Sequence, residues 1–336
     1  MIPVAVLTGF LGSGKTTLLG RLLRHPDFAR TAVIINEFGE VGLDHDLVEA
    51  SEESFVELQT GCLCCAVRGD LARTLADILR RREDGSVPPF ERVVIETSGL
   101  ADPAPILHAL MSDGHLAERL KLAGVVATVD AVNGLATLER QPESIKQVAV
   151  ADRLILTKTD LPEGGGNRRA LVDRLVGLNP AARLIEASFG AVEPGRLFDA
   201  DLGDSARNVE SWLGPITHED HAHANHDADI TCFAVLRDEP IRAVALTLLL
   251  ECLADHCGAD LLRLKGLVNV AESPDRPAVI HGVQHVFHPP AWLERWPSAD
   301  RRSRLVVIGR GLRQAWVEAV LAAIEAEVAE VSATRS

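Results

Sequence analysis

Residues 9–17 read Gly9-Phe10-Leu11-Gly12-Ser13-Gly14-Lys15-Thr16-Thr17, which is the pattern G-x-x-x-x-G-K-T. A strand-like apolar run at 2–7 precedes this stretch, and apolar residues at helical spacing follow it at 18–23. A strand, a glycine-rich turn and a helix N-terminus together form an anion site, because backbone N–H groups converge there and the helix dipole favours negative charge. The sequence therefore predicts the phosphate-binding loop of a nucleoside triphosphatase.

Each polar residue of this loop has an expected role in binding a nucleotide. Lys15 is expected to reach the β and γ phosphates, and the Thr16 hydroxyl to complete the shell of a Mg²⁺ ion bound with the nucleotide. A glycine turn before an ordinary helix is the alternative, but it gives no reason for a lysine at this position. The predicted nucleotide-binding residues of the loop are Gly9, Gly12, Ser13, Gly14, Lys15, Thr16 and Thr17.

Composition narrows the class of protein. The chain has 336 residues, enough for two domains, and its mean hydropathy of +0.11 is that of a globular protein. The sequence has no apolar run long enough to span a bilayer and no signal peptide, so a cytoplasmic location is expected. The formal net charge of −14 argues against a nucleic-acid partner and against an anionic membrane surface.

Strand-like apolar runs alternate with helical segments in the first part of the chain. After the run at 2–7 they fall at 32–35, 92–95, 124–129 and 153–157, with a weaker one at 184–185. This alternation predicts a mainly parallel sheet covered by helices on both faces, with functional loops at the carboxyl ends of its strands. We expect this α/β domain to cover residues 1–205.

The composition changes beyond residue 205. An acidic, His-rich linker is expected at 206–229, and a smaller α+β domain with an antiparallel sheet at 230–332. The predicted strands are 230–236, 261–270, 278–287 and 304–308, and a helix is predicted at 241–253. A terminal helix within 309–331 is predicted from apolar residues four apart, namely Leu312, Trp316, Val320, Ile324 and Val328.

Two further motifs follow predicted strands. Glu96 and Gly99, in the stretch Glu96-Thr97-Ser98-Gly99, are expected to hold Mg²⁺ through water and to contact the γ-phosphate through a backbone N–H. A strand end followed by a turn is the alternative for this stretch.

The second of these motifs is Thr157-Lys158-Thr159-Asp160, which is similar to the Asn-Lys-x-Asp guanine-specificity element of GTPases. The Asp160 carboxylate can accept hydrogen bonds from N1–H and the exocyclic amine of guanine, and the Lys158 stem can pack over the base plane. Thr157 stands where Asn is usual, and a charged loop is the alternative. Ala187-Ser188, after the weaker sixth strand, could supply a backbone N–H to the base.

Three thiols fall within four positions, at Cys62, Cys64 and Cys65. Thiolates at this spacing suit Zn²⁺, Co²⁺ or Cu⁺, and a set of three leaves one position open for transfer of the ion. Buried apolar cysteine is the alternative, and it is the expectation for the remaining three, Cys232, Cys252 and Cys257. A secondary metal site is a further expectation for the imidazoles of the linker, namely His218, His221, His223 and His226, which a solvated linker explains equally well.

In combination, these motifs resemble the CobW-type family of P-loop GTPases, proposed metallochaperones and activators of metal enzymes. The stretches Asn36-Glu37-Phe38-Gly39-Glu40 and Leu261-Leu262-Arg263-Leu264-Lys265-Gly266 add to the resemblance, which spans nearly the whole chain. It implies a P-loop G domain followed by a CobW-type C-terminal domain, a metal held by the Cys-x-Cys-Cys segment, and Glu40 as a fourth ligand. The resemblance also implies that Thr-Lys-x-Asp is an accepted form of the base motif in this family.

The predicted function is therefore GTP hydrolysis coupled to delivery of Zn²⁺ or Co²⁺ to a client metalloprotein or cobalamin pathway. The expected ligands are GTP or GDP with Mg²⁺ and a transition metal, and dimerisation that depends on metal or nucleotide is a further expectation. Two alternatives stay open at this point. One is a P-loop kinase or ATPase acting on a small molecule, with structural cysteines. The other is a non-catalytic metal store.

Overall fold

The computed structural model describes residues 1–36, 56–57, 63–66, 71–161, 167–188, 191–198 and 230–334. The chain divides into two compact units. The first comprises Met1–Arg174 with Ala182–Ala200, and the second comprises Leu175–Ala181 with Asp201–Ser336. The predicted linker at 206–229 lies outside the described residues, and the domain limits at 205 and 230 stay predictions.

Within the described residues, the first unit is built on an eight-stranded sheet. Its strands are β1 (Ile2–Gly9), β2 (Thr31–Asn36), β3 (Val56–Glu57), β4 (Leu63–Ala66), β5 (Arg92–Thr97), β6 (Leu120–Asp130), β7 (Arg153–Thr157) and β8 (Arg183–Glu186). The strand order is β3-β4-β2-β5-β1-β6-β7-β8, and β3 and β4 form its antiparallel pair. The other pairs are parallel. The predicted, mainly parallel sheet is confirmed, and all six apolar runs are strands of it.

Helices flank the strands of this sheet. They are α1 (Lys15–Leu22), α2 (Leu71–Asp84), α3 (Ala104–Ser112), α4 (Gly114–Ala117), α5 (Gly134–Arg140), α6 (Pro142–Val150), α7 (Arg168–Leu178) and α8 (Pro194–Phe198). Leu18, Leu19 and Leu22 of α1 are buried in one apolar cluster with Leu7 of β1 and Val33 of β2. Burial of this leucine face fixes the first turn of α1 at the carboxyl end of β1.

The second unit contains an antiparallel sheet and two long helices. Its elements are β9 (Ile230–Arg237), α9 (Ala243–Cys257), β10 (Leu261–Val268), β11 (Ala278–Val283), β12 (Val286–Phe287), β13 (Ala291–Trp292), β14 (Ser303–Arg310) and α10 (Gln314–Thr334). The strand order is β12-β11-β10-β14-β9, with β13 also paired to β11. One apolar cluster joins α9 and α10 to β9, β10, β11 and β14. The predicted α+β class is confirmed.

The single strand predicted at 278–287 is wrong in the structure, which forms a hairpin there. Gln284 has a φ of 53°, and this left-handed conformation reverses the chain. Val283 then pairs with Val286, and Gly282 with Phe287. The run is apolar on both sides of the turn, so its composition does not reveal the reversal.

The apolar stripe predicted for α10 is also partly wrong. Trp316 is 39% exposed, whereas Val317, Leu321 and Val328 are buried and Ile324 is half-buried. The observed spacing of 4, 3 and 4 residues follows the 3.6-residue turn, from which a strict spacing of four drifts away.

Candidate functional site

The loop between β1 and α1 adopts backbone conformations that require glycine. Gly9 has a φ of 138°, and a Cβ there would lie 2.5 Å from the carbonyl oxygen of Thr128. Gly14 has a φ of 92° and caps the N-terminus of α1. An L-residue at either position would be strained, so glycine is what lets the loop curl over the helix N-terminus.

Lys15 and Thr16 lie where a phosphate-binding role needs them. Lys15 is buried, and its Nζ donates to the carbonyl oxygens of Gly9 at 2.9 Å and Phe10 at 3.2 Å, so its charge is held within the loop. Thr16 Oγ1 donates to Oε1 of the buried Glu96 at 3.0 Å. The structure thus brings together two side chains that are 80 residues apart in sequence. These two hard oxygen donors fit the chemistry of a Mg²⁺ ion.

Gly99 lies directly against the loop. A Cβ at this position would lie 2.7 Å from the backbone nitrogen of Leu11 and 2.9 Å from its Cα, so only glycine fits there without moving the loop. Gln147 of α6 is buried, and its Nε2 donates to the carbonyl oxygens of Gly99 and Ala101, both at 3.1 Å. Gln147 therefore fixes the Gly99 segment, although sequence reasoning did not single it out.

Thr157 ties the predicted base motif to the phosphate loop. Its buried hydroxyl lies 2.7 Å from the carbonyl oxygen of Ser13 and 3.1 Å from that of Val129. Ser13 also pairs through its hydroxyl with Thr128 Oγ1 at 2.6 Å. A short side chain with a donor can thus bridge the two segments, which is a physical reason for Thr at the first position of this motif.

Lys158, the next residue of the motif, forms an ion pair with a residue that sequence reasoning missed. Its Nζ lies 2.6 Å from Oδ2 of Asp130, the last residue of β6. Burial raises the pKa of Asp130, but hydrogen bonds from Lys158, Val132 and Asn133 outweigh it, and the net pKa is below the ordinary value. The signal for Asp130 was its place at the carboxyl end of a predicted strand.

Asp160 is half-buried in the turn after β7. Beside it, Thr159 Oγ1 lies 3.0 Å from Ser188 Oγ, so the loops after β7 and β8 meet there. The backbone N–H of Ala187 donates to Leu156 O at 2.8 Å and is thus engaged by the neighbouring strand. This contact removes Ala187 as a donor to a base.

A cleft of about 290 Å³ opens beside the phosphate loop. It is lined by residues 10–13 of the loop, 128–130 of β6, the start of α5, Ser144 and Lys158. The loop, the end of β6 and the base motif therefore share one concave surface at the carboxyl edge of the sheet, which is where ligands bind in open α/β sheets.

The predicted metal ligands are described only in part. The backbones of Cys64 and Cys65 belong to β4, where they pair with Val33 and Ile34 of β2. Cys62, Glu40 and the four linker histidines lie outside the described residues. Across the part of the chain that is described, no group of three or more His, Cys, Asp or Glu side chains could hold a metal ion.

The cysteines of the second unit are more varied than expected. Cys257 is buried as expected, whereas Cys232 is half-buried, although desolvation raises the pKa of its thiol to about 12. Cys252, which was expected to be buried, is only half-buried, and its Sγ lies 3.9 Å from Nδ1 of His256 one turn later on α9. The apolar composition of the helix did not reveal this because its buried face is centred on Leu249 and Leu253.

The glycine-rich loop at the head of α1, the buried Lys15 and the Thr16–Glu96 pair at one sheet edge define the P-loop class of nucleotide-binding proteins. Residues 3–186 match the CobW/HypB/UreG nucleotide-binding domain, and residues 230–325 match the C-terminal domain of the cobalamin synthesis protein CobW. The chain belongs to the CobW/HypB/UreG family and carries the CobW C-terminal domain.

Relatives align along most of the chain. It is 34% identical over 323 residues to the zinc chaperone YjiA of Escherichia coli, covering 96% of this chain and 98% of the relative. It is 31% identical over 241 residues to the zinc-regulated GTPase metalloprotein activator 1 of Schizosaccharomyces pombe, covering 69% of this chain and 57% of that protein.

Solved structures agree with this relationship. The crystal structure of Zn(II)-bound YjiA GTPase from E. coli matches with a TM-score of 0.78 and 32% identity, covering 96% of this chain and 98% of that one. A Zn(II)-bound triple mutant of YjiA matches with a TM-score of 0.79.

Within the described residues, no helix has the length and apolar character needed to cross a membrane.

Proposed function

We propose that this protein binds and hydrolyses GTP and is a zinc metallochaperone that passes its ion to a client metalloprotein. The observation that carries the nucleotide part is the meeting of three separate segments at one sheet edge. Loop 9–17 contacts Glu96 through the hydroxyl of Thr16 and the base motif at 157–160 through the buried hydroxyl of Thr157. Relatives named as zinc chaperones and as a zinc-regulated GTPase support the rest.

In this proposal the chain's own groups bind the polyphosphate and stabilise its charge. The loop N–H groups and Lys15 would hold the β and γ phosphates, and the Gly99 N–H would donate to the γ-phosphate. Thr16 and Glu96 would hold Mg²⁺, which supplies charge neutralisation when it is bound. Water attacks the γ-phosphorus, the bond to the β–γ bridging oxygen breaks, and GDP and phosphate are released.

Base selectivity is the sharpest test of the nucleotide proposal. Competition of GTP, ATP and XTP against a fluorescent GDP analogue should show preference for GTP by at least about 100-fold over ATP. The Asp160→Asn variant should prefer XTP to GTP. Its amide can donate to the C2 carbonyl of xanthine but clashes with the amine of guanine. Preference of the wild type for ATP would instead favour a small-molecule kinase or ATPase.

Zinc is the ion we propose as cargo, and Cys62, Cys64 and Cys65 as its ligands, with Glu40 as a fourth. The support is thiolate chemistry together with the names of the relatives. Cobalt stays a prediction from the same chemistry, as do the linker histidines, the cytoplasmic location and dimerisation. A metal store would release zinc regardless of the nucleotide, so dependence of zinc affinity on nucleotide separates these two functions.

The sheet register supports coupling between the two sites. The backbone of Cys65 is level with Ile34 of β2, which is level with Ile95 of β5, the residue before Glu96. Strands in a sheet lie about 4.8 Å apart, so the thiol-bearing strand is roughly 10 Å from the strand that ends at Glu96. A change of backbone order at the nucleotide site can therefore be transmitted to the thiol-bearing strand over a short distance.

A further inference from the structure

The carboxylate of Asp130, at the end of β6, accepts four hydrogen bonds. Its side chain is 10% exposed, and Oδ2 accepts from Lys158 Nζ at 2.6 Å and from Asn133 Nδ2 at 3.2 Å. Oδ1 accepts from the backbone N–H groups of Val132 at 2.8 Å and Asn133 at 3.2 Å. One carboxylate oxygen thus caps the chain before α5, and the other holds a lysine 28 residues away in sequence.

Lys158 occupies a conformation that lysine rarely adopts. Its φ is 56°, in the left-handed region, which costs a non-glycine residue about 1–2 kcal/mol. The flanking contacts fix the backbone, since Thr157 bonds to Ser13 O and the N–H of Leu161 donates to Lys158 O at 3.2 Å. Asp130 fixes the other end of the side chain, the ammonium group. The stem is therefore restrained at both ends.

We propose that Asp130 is a positioning residue for nucleotide binding, which holds the Lys158 stem in the place where the face of the base packs. The inference rests on the proposed GTP site. A free lysine side chain has about 2 kcal/mol of rotamer entropy to lose, and a stem ordered before the nucleotide arrives does not lose it on binding. Because the stem contacts the flat face of the base, Asp130 contributes equally to different purines.

Simple electrostatics predicts the opposite effect, which makes the inference testable. Asp130 and Lys158 both line the cleft beside loop residues 10–13. A carboxylate near the polyphosphate repels it, so removal of the charge should tighten binding if only Coulomb interactions matter. Removal should weaken binding if Asp130 positions Lys158.

The experiment measures equilibrium dissociation constants of GDP and IDP for the full chain. Asp130→Asn keeps an acceptor for Val132 and Asn133 but loses the ion pair, and Lys158→Met keeps the stem length but loses the ammonium. Each variant should bind GDP and IDP more weakly by the same factor, roughly 10-fold. The ratio of the two dissociation constants should therefore be unchanged. The double variant should be no weaker than Lys158→Met alone, within twofold, because Asp130 acts through Lys158.

Several results would overturn the inference. These are unchanged or tighter GDP binding in Asp130→Asn, a further 10-fold loss when Asp130→Asn is added to Lys158→Met, or a changed ratio of GDP to IDP. If Asp130→Asn is poorly folded, Lys158→Met carries the test, and its unchanged affinity would be decisive against the proposal. Asp113→Asn is the matched control, because it removes a helix-capping carboxylate that does not line the cleft, and it should bind like the wild type. Absence of GDP binding by the wild type would instead refute the proposed function.

Discussion

The carboxyl edge of the first sheet and the helix-packed face of the second sheet differ in the side chains that they bury. At the carboxyl edge of the first sheet, hydroxyls and charges are buried and bonded across segments, as in the pairs Ser13–Thr128, Thr8–Thr97 and Thr16–Glu96. In the second unit, α9 and α10 pack on their sheet through one apolar cluster. A buried hydrogen bond adds only about 1 kcal/mol to the free energy of unfolding. The hydrogen bonds at the polar edge therefore position its side chains more than they stabilise the fold.

This difference predicts which property each change alters. Substitutions at the polar edge should change nucleotide binding and leave the unfolding transition nearly unchanged. Substitutions in the apolar cluster should do the reverse.

Leu249→Ala should destabilise the second unit by about 2–5 kcal/mol, because this side chain is fully buried in the apolar cluster. Leu248→Ala is the matched control, since Leu248 is 41% exposed and its loss should cost less than about 0.5 kcal/mol. Urea unfolding followed by tryptophan fluorescence reports on this region, as all four tryptophans lie beyond residue 205. Reduced GDP affinity in the folded Leu249→Ala protein would contradict the division.

Lys15→Ala should weaken GTP binding roughly 100-fold, because a charged donor at the loop centre is lost. Arg21→Ala removes a positive charge from the exposed side of the same helix and should bind GTP like the wild type. Calorimetric titration of the full chain measures both. Equal losses in the two variants would mean that overall charge, and not the loop, attracts the nucleotide.

Gly99→Ala should weaken nucleotide binding about 10-fold, because its methyl group would displace the loop at Leu11. Gly114→Ala is the control, since a Cβ at that position meets no atom within 4 Å. Competition against a fluorescent GDP analogue is sensitive enough for this difference. An unaffected Gly99→Ala protein would show that the loop can shift without consequence.

Sequence patterns predicted six strands of the first sheet, the phosphate loop and the class of both units, because burial on both faces leaves continuous apolar runs. They did not predict the partners of individual side chains. The Thr157–Ser13 and Lys158–Asp130 contacts join residues separated by 144 and 28 positions, and only the packed sheet brings them together. The turn was missed for a local reason, since neither of its central residues, Gln284 and His285, is a glycine or proline.

The most direct test of the account is zinc affinity measured with a GTP analogue bound and with GDP bound. For the wild type we expect the two zinc dissociation constants to differ by about 5- to 150-fold, the usual range of coupling between linked sites. The difference should vanish in the variant carrying Cys62→Ser, Cys64→Ser and Cys65→Ser, whose Mg-GTP affinity should stay near that of the wild type. Equal zinc affinities in both nucleotide states of the wild type would contradict the account.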